Sequence, residues 1–474
     1  MSSIDKKYFF VKIKIMNDKM NLNSVLKKFK ELNVEFFDLK ILDLKGKAHS
    51  LILPVSMLDE NLLKKGVGFD ASSYGFTKPE RSDMVMIPDL DTMWIDPFHE
   101  RKTAIFLATV HLTDERRTRF AGDPRFVAEK AEKMLQKTHI GTHALFGPEF
   151  EFFIFKEVGY AVLDDGSYYF LRKDSEENRN FYHSSSPDDE YIEFKNEAVS
   201  ILMNMGIDIK YHHHEAAVNQ HEIEPKLNTL LKTGDQTVMI KYILFNLARK
   251  KNLFVTFMPK PFFGQSGNGW HVHQYILDNK KNVFFEKGSY GNLSRVALSY
   301  ISGLLFHSGS LSALANPSTN SYKRLVKGFE APASAIFATS NRNAAIRIPA
   351  YVDDKETRIE YRPGDASSNP YFCLSAMVMA GIDGILKNMS PEKFNFGPHD
   401  GVTADTKGFK NKIKELPEQL SEALEQLEKD NEYLKYGDVF DSELILQWIK
   451  QKRIEIQEVN LIPHPKEFEM YFNF

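Results

Sequence analysis

Apolar residues change their period several times along the chain, and each change predicts a different element. Residues 24–33, "SVLKKFKELN", set Val25, Leu26, Phe29 and Leu32 on one helical face. The next stretch, "VEFFDLKILDLKGKAHSLILPV", reads as two strands around a Lys-Gly-Lys turn. Few apolar positions repeat in "GVGFDASSYGFTKPERSDMVMIPDLDT", which predicts loops, before "TAIFLATVHL" resumes a strand. Together these predict a small N-terminal α+β unit. At 123–137, "DPRFVAEKAEKMLQK" predicts a helix with Asp123 as N-cap and Pro124 at its first position.

That helix leads into "GPEFEFFIF", residues 147–155, where two glutamates interrupt an apolar run. Strand alternation would place Glu149 and Glu151 on one face with Phe153 and Phe155. Two partly desolvated carboxylates on one face repel each other unless a cation lies between them. Either a metal pairs with them or they form a solvated strand edge. Further on, 156–186 is polar and reads as an irregular surface excursion. Ser186 and Pro187 then start a helix that runs to Met205 and stops at Gly206. Strand, helix and strand follow in "IDIKYHHHEAA", "TVMIKYILFNLARKK" and "LFVTFMPKPFF". The charged helical pattern of 410–459 predicts an exposed helical tail.

Composition narrows the class. A chain of 474 residues is too long for one compact core. Its formal net charge of -3 gives no electrostatic case for nucleic acid or an anionic membrane. No apolar run reaches the length of a membrane span. One cysteine, Cys373, excludes an intramolecular disulfide, and "MSSIDKKYFF" lacks a signal-peptide pattern. A cytoplasmic, soluble protein is the expectation.

The candidate chemistry lies in acidic and histidine residues within strand-like segments. Glu215 and Glu222 fall in "HHHEAAVNQHE", His271 and His273 in "SGNGWHVHQY", and Glu360 in "RIEYRPGD". With Glu149 and Glu151 they make a carboxylate-dominated set with one imidazole, which suits Mg²⁺ or Mn²⁺ better than zinc. Consecutive strand histidines cannot all face one ion, so the triple histidine at 212–214 is not read as a metal tract. Arg324, Arg342, Arg347, Arg358 and Arg362 sit among turns and glutamates, a pattern for anion recognition rather than a solvated basic face. Metals with arginine clamps and no Walker glycine loop point to phosphoryl transfer outside the P-loop class.

The ordered set "FDASS", "GPEFEFF", "HHEAAVNQHEI", "TFMPKP", "GNGWHVH", "NSYKRL", "GFEAP", "IRIP" and "RIEYR" resembles the type I glutamine synthetases. The resemblance implies a small N-terminal β-grasp-like domain, 1–118. A large catalytic domain follows, 119–474, with a curved antiparallel sheet, flanking helices and the C-terminal helical tail. It implies an ATP-dependent ligase that makes glutamine from glutamate and ammonium through a γ-glutamyl phosphate, in a homododecamer of two stacked hexameric rings. By position, Glu151, Glu215 and Glu222 would hold one divalent ion, and Glu149, His271 and Glu360 the second. Arg324, Arg342 and Arg362, with Ser73 and Gly267, match substrate positions. His273, Arg347, Lys355 and Arg358 match nucleotide or phosphate positions. Asp70 matches the residue that binds ammonium and takes its proton, and would be supplied to a neighbour's site. Glu330 matches the flap.

The chain departs from the family pattern at Ala71, Leu227, Ser266, Trp270, Tyr275 and Lys327. None of these removes a metal position. No tyrosine lies between Tyr371 and Tyr433, the interval of the adenylylation site in some members. The resemblance also covers γ-glutamyl-amine or polyamine ligases of the same superfamily. A catalytically silent relative is a further alternative, disfavoured by the retained ligand set.

Overall fold

A computed structural model describes residues 19–175, 180–326, 331–401 and 413–471. The helix Leu22–Leu32 begins at a reciprocal cap: Asn21 accepts from the Ser24 amide while Ser24 accepts from the Asn21 amide. It buries Val25 and Phe29 against the sheet, the Phe29 ring lying 6.1 Å from that of Phe106. This sheet has six strands. Its path runs Ala48–Pro54, Phe36–Leu42, Thr103–Leu112, Asp83–Pro88 and Val67–Asp70, with Trp94–Ile95 also on Thr103–Leu112. Phe36–Leu42 and Thr103–Leu112 are parallel and their neighbours antiparallel, the arrangement of a β-grasp domain. The stretch expected to be loops therefore contributes two strands. Their alternation was obscured because both are short and flanked by 3₁₀ turns.

The larger, second domain is built on two sheets. One runs Asn228–Thr229, His143–Pro148, Val272–Asp278, Ile359–Tyr361, Ala344–Ile348, Ser334–Thr339. The other runs Ile209–His214, Gln220–Pro225, Phe150–Phe155, Phe254–Thr256. "GPEFEFFIF" is not one strand. The chain leaves the first sheet at Pro148 and enters the second at Phe150, so Glu149 sits at the crossing point. The two glutamates still face one cavity, because the two sheets curl toward it.

Helices cover the outer faces. Pro124–Lys137 starts as expected, with the Asp123 carboxylate accepting from the Arg125 amide and Pro124 in the first turn. Pro370–Leu386 is almost wholly buried and packs on Arg295–Phe306 at glycines. A Cβ on Gly303 would come within 2.1 Å of the Ala380 carbonyl, so only glycine permits that approach. Asn369 ties this domain to the N-terminal one, donating to the carbonyls of Asp43 and Leu44 at 3.1 and 3.2 Å.

Three further expectations are corrected. Within 156–186 lies a hairpin, Val158–Leu163 with Gly166–Leu171, turning at Asp164-Asp165 and carrying exposed Tyr160 and Tyr169. The next helix starts at Ile192 rather than 186, with the Asp189 carboxylate accepting from the Tyr191 amide at 3.2 Å in the turn before it. The charged C-terminal region is docked, not exposed. Leu420–Lys429 buries Leu424 and Leu427, and Ser442–Asn460 buries Trp448, whose indole donates to the Ala313 carbonyl. Among the described residues no helix is long and apolar enough to cross a membrane.

Candidate active site

Strand register builds the site in two rows. In the four-stranded sheet His213 stands opposite Glu222, and Glu222 opposite Glu151. In the other sheet Arg347 stands opposite Glu360, Glu360 opposite His273, and His273 opposite Gly147. Leu227 fills the space over Gly147, where a Cβ would meet it at 2.8 Å. Glu149 joins the rows, its amide donating to the His271 carbonyl at 2.8 Å.

The side chains converge on a cavity of about 650 Å³. Glu149, Glu151, Glu215, Glu222, His271 and Glu360 all line it, together with Arg342, Arg347 and Arg362. His271 Nδ1 lies 2.9 Å from Glu149, 3.6 Å from Glu151 and 3.8 Å from Glu360. His273 Nε2 reaches the other Glu149 oxygen at 2.9 Å. Glu151 accepts from the Gly269 amide at 2.7 Å and from Gln220 at 3.1 Å.

A smaller pocket adjoins, lined by Glu151, Glu215, Ser266, Gly267, Arg324 and Arg362 among others. Gly267 is pressed under Pro259, whose carbonyl would lie 2.2 Å from any Cβ there. Arg324 is buried and donates to the carbonyls of Pro363 and Gly364, and to His271 Nε2 at 3.2 Å. Arg358 and His273 are buried behind Glu149, Arg358 Nε donating to His273 Nδ1 at 3.4 Å. Lys355 stands on an exposed 3₁₀ turn.

Five of the expected residues line neither pocket: His273 and Arg358 behind Glu149, Lys355 on its turn, and Asp70 and Ser73. Asp70 is exposed, and hydrogen bonds from the Ser72 and Ser73 hydroxyls hold its carboxyl below the usual range. Glu330 and Lys327 lie outside the described residues.

The charges are unevenly balanced. Burial opposes ionisation of Glu360, but Arg362 holds its carboxyl below the usual range, and Arg347 also pairs with it. Burial likewise opposes ionisation of Glu149, yet hydrogen bonds from His271 and His273 hold it well below. Glu215 and Glu222 go the other way. Burial pushes both well above the usual range, and the nearby carboxylates add to it, Glu151 for Glu215 and Glu149 with Glu151 for Glu222.

This donor set fits divalent ions that prefer oxygen ligands. In each of two triads, Glu149–His271–Glu360 and His213–Glu215–Glu222, the ligand atoms lie within 4.8 Å of one another, so one ion could touch all three. A third triad, Glu149–Glu224–His273, already has a cation, because Lys210 Nζ lies 2.8 Å from Glu224.

Two cavity residues carried no distinct signal in the sequence. Tyr182 lies in the polar excursion without periodicity, its ring under the Arg342 guanidinium at 5.4 Å. His213 was one of three adjacent histidines, and only register distinguishes it from the other two.

Comparison with known proteins places this architecture. The glutamine synthetase β-grasp domain matches residues 33–113, and the glutamine synthetase catalytic domain matches 121–471. The chain is 39% identical to the glutamine synthetase of Aquifex aeolicus over 470 residues, covering 95% of this chain and 98% of that one. It is 37% identical to that of Frankia alni over 477 residues, with the same coverage. Among solved structures, a cryo-EM structure of Plasmodium falciparum glutamine synthetase superposes with a TM-score of 0.86 at 25% identity, covering 95% of this chain and 99% of that one. An apo GmaS structure gives 0.82 at 25%, covering 96% and 100%. A β-grasp domain joined to a curled-sheet catalytic domain around this cavity defines a ligase. The chain belongs to the glutamine synthetase family.

Proposed function

We propose that this enzyme joins ammonium to the γ-carboxylate of glutamate, with ATP and two Mg²⁺ or Mn²⁺ ions, by way of a γ-glutamyl phosphate. The observation that carries the reading is the convergence of six ligand-type residues and Arg342, Arg347 and Arg362 on one cavity. First, a γ-carboxylate oxygen attacks the terminal phosphorus of ATP and the bond to the ADP oxygen breaks. Then ammonium gives up a proton to Asp70, ammonia attacks the acyl carbon, phosphate leaves, and the nitrogen gives up a second proton.

When bound, the two cations neutralise charge on the transferring phosphoryl group. The chain's own residues do the rest. Glu151, Glu215 and Glu222 hold one ion, and Glu149, His271 and Glu360 the other. Arg342 and Arg362 orient phosphoryl and carboxylate oxygens through forked donors, and Arg324 with Gly267 shapes the end that receives glutamate. His273, Arg347, Arg358 and Lys355 serve the nucleotide side. By its match to the family pattern, Glu330 is assigned to keeping water from the acyl phosphate.

Asp70 and Ser73 stand outside the lining of their own chain's cavity, which supports their acting in a neighbour's site. The oligomer in this reading is a dodecamer of two stacked hexameric rings, in the cytoplasm. We take 1–118 as the N-terminal domain and 119–474 as the catalytic one, because the strand Thr103–Leu112 ends and the helix at Pro124 begins on either side of that boundary.

A second reading, a γ-glutamyl-amine ligase, keeps the same metal and arginine positions and rests on the likeness to the GmaS structure. The test is ADP release with glutamate and ammonium, methylamine, ethanolamine or putrescine. Ammonium is expected to be strongly preferred. Faster release with ethanolamine or putrescine would replace the first reading by the second. No release with any amine from folded, metal-supplied protein would make the chain a silent relative.

A further inference from the structure

We infer that Gln447 and Gln451 are positioning residues for Asp70: from the helix Ser442–Asn460 they hold the loop that presents it. The inference rests on the reading above that Asp70 takes a proton from ammonium, and adds to it how this chain aims that carboxylate. Asp70 ends the strand Val67–Asp70 and caps the 3₁₀ turn Ala71–Tyr74. Its carboxylate is fixed within the turn, accepting from the Ser72 amide at 2.9 Å and from the Ser72 and Ser73 hydroxyls at 2.6 and 2.8 Å. The carboxylate therefore goes wherever the turn goes. Its own domain holds one side of that turn. The Ala71 amide donates to the Ser82 carbonyl at 2.8 Å, and the Tyr74 ring packs on those of Phe69 and His49 at 5.3 and 4.3 Å.

The other side is held from the second domain. Gly75 closes the turn in the left-handed conformation, φ 73°, and its carbonyl accepts from the side-chain amides of Gln447 and, at 3.3 Å, Gln451. The two glutamines stand four residues apart on one helical face. A carbonyl oxygen has two lone pairs, and two donors from one helix fill both. The space is matched to glycine, since a Cβ on residue 75 would meet Gln451 Nε2 at 2.7 Å. The helix is not free to follow the turn. Leu444, Ile445, Trp448 and Ile449 are buried along it, and the Trp448 indole donates to the Ala313 carbonyl at 3.1 Å. One turn beyond Gln451, Glu455 reaches Lys45 of the N-terminal domain at 2.8 Å, a second grip on that domain. Two neutral hydrogen bonds contribute about 1 kcal/mol each, little beside the apolar face that docks the helix. Their loss should loosen the turn and leave the fold.

The test separates the two chemical steps in full-length protein. Gln447→Met with Gln451→Met removes both donors at nearly constant side-chain length, and Gln447→Lys with Gln451→Met returns one donor. Glutamine formation is measured at varied ammonium. The first step alone is measured as ATP-dependent phosphorylation of methionine sulfoximine, which needs no ammonium. The double methionine variant is expected to lose about tenfold or more in kcat/KM for ammonium, while phosphorylation stays within about twofold of wild type. The lysine variant should recover most of that loss, and Asp70→Asn should show the same split more strongly. Circular dichroism and size-exclusion chromatography check each fold. Gln451→Met alone, expected to give a smaller split, serves if the double variant does not fold. Equal losses in both steps, no loss in either, or no recovery with lysine would overturn the inference. If Asp70→Asn shows the split and the methionine variants do not, the inference alone falls. If Asp70→Asn spares the ammonium step, the reading of Asp70 fails and the inference falls with it.

Discussion

Two places in the molecule put a histidine between two carboxylates, and they settle the charge in opposite ways. His307 donates at 2.8 Å to Asp430 and at 2.8 Å to Asp383, and its ring stacks on Tyr433 at 4.0 Å. Burial works against the imidazolium, but the hydrogen bonds to Asp383 and Asp430 raise its pKa above the usual histidine value. Lys387 adds a second cation at 2.9 Å from Asp383. The cluster is complete within the protein and fastens the C-terminal helices to the helix Arg295–Phe306 and its neighbours. His213 sits between Glu215 and Glu222 in similar geometry, yet both carboxyls are held well above their usual range. The first cluster carries its own positive charge. In the second, three ligand atoms within 4.8 Å of one another open on a cavity, which marks it as a place for a cation rather than a staple.

The largest effect should come from breaking the second cluster. Glu222→Ala is expected to lower ADP release about 10³-fold or more, because catalysis of this kind is mainly positioning and charge neutralisation. Asp430→Ala should leave turnover of the folded protein near wild type at moderate temperature. Equal losses in both variants would remove the distinction between them.

The first cluster should dominate stability instead. His307→Ala leaves Asp383 with Lys387 and Asp430 with the Ser310 hydroxyl, and is expected to cost about 3 kcal/mol in denaturant unfolding. The pH dependence has a fixed sign. Because His307 is protonated more readily folded than unfolded, its contribution is fully present below the ordinary histidine pKa of about 6.5 and is lost as pH rises through the raised folded value. Stability of the wild type should therefore fall more steeply over that alkaline range than that of His307→Ala. Parallel profiles would mean that His307 is neutral in the folded protein.

Glu360→Gln should also destabilise, by about 2 kcal/mol, since Arg347 and Arg362 both pair with that buried carboxylate. Thermal melting of metal-free protein would show it.

Much of this was legible in the sequence where a local signal existed. Asp123-Pro124 marked a helix start, and the hairpin at Lys45–Lys47 was plain from alternation. The six carboxylate and histidine positions were named from motif order, and the fold brings them onto one cavity. What was missed depends on long-range geometry. The crossing at Glu149 between two sheets leaves no trace in a run that alternates smoothly. The docking of Leu424 and Trp448 looked like an exposed tail because charges dominate the other faces of those helices. His213 became distinct from His212 and His214 only when register set it opposite Glu222.

The smallest expected effect is the one that most directly tests the missing charge. Glu222 is buried with Glu149 and Glu151 nearby and no guanidinium hydrogen-bonded to it among the described residues. Ionising it in the folded protein without metal works against folding. Glu222→Gln keeps the shape and removes the charge, so metal-free protein should gain about 1 kcal/mol. The gain should be absent at acid pH, where both states are protonated, and should grow as pH rises above the ordinary carboxylate range of about 4.3. Its sign is opposite to that of Glu360→Gln, although both residues line the same cavity. Adding Mn²⁺ should reverse the order. The wild type then gains binding free energy that the glutamine variant largely lacks. A Glu222→Gln protein less stable than wild type without metal would mean that the cluster is already balanced, and the contrast with His307 would fail.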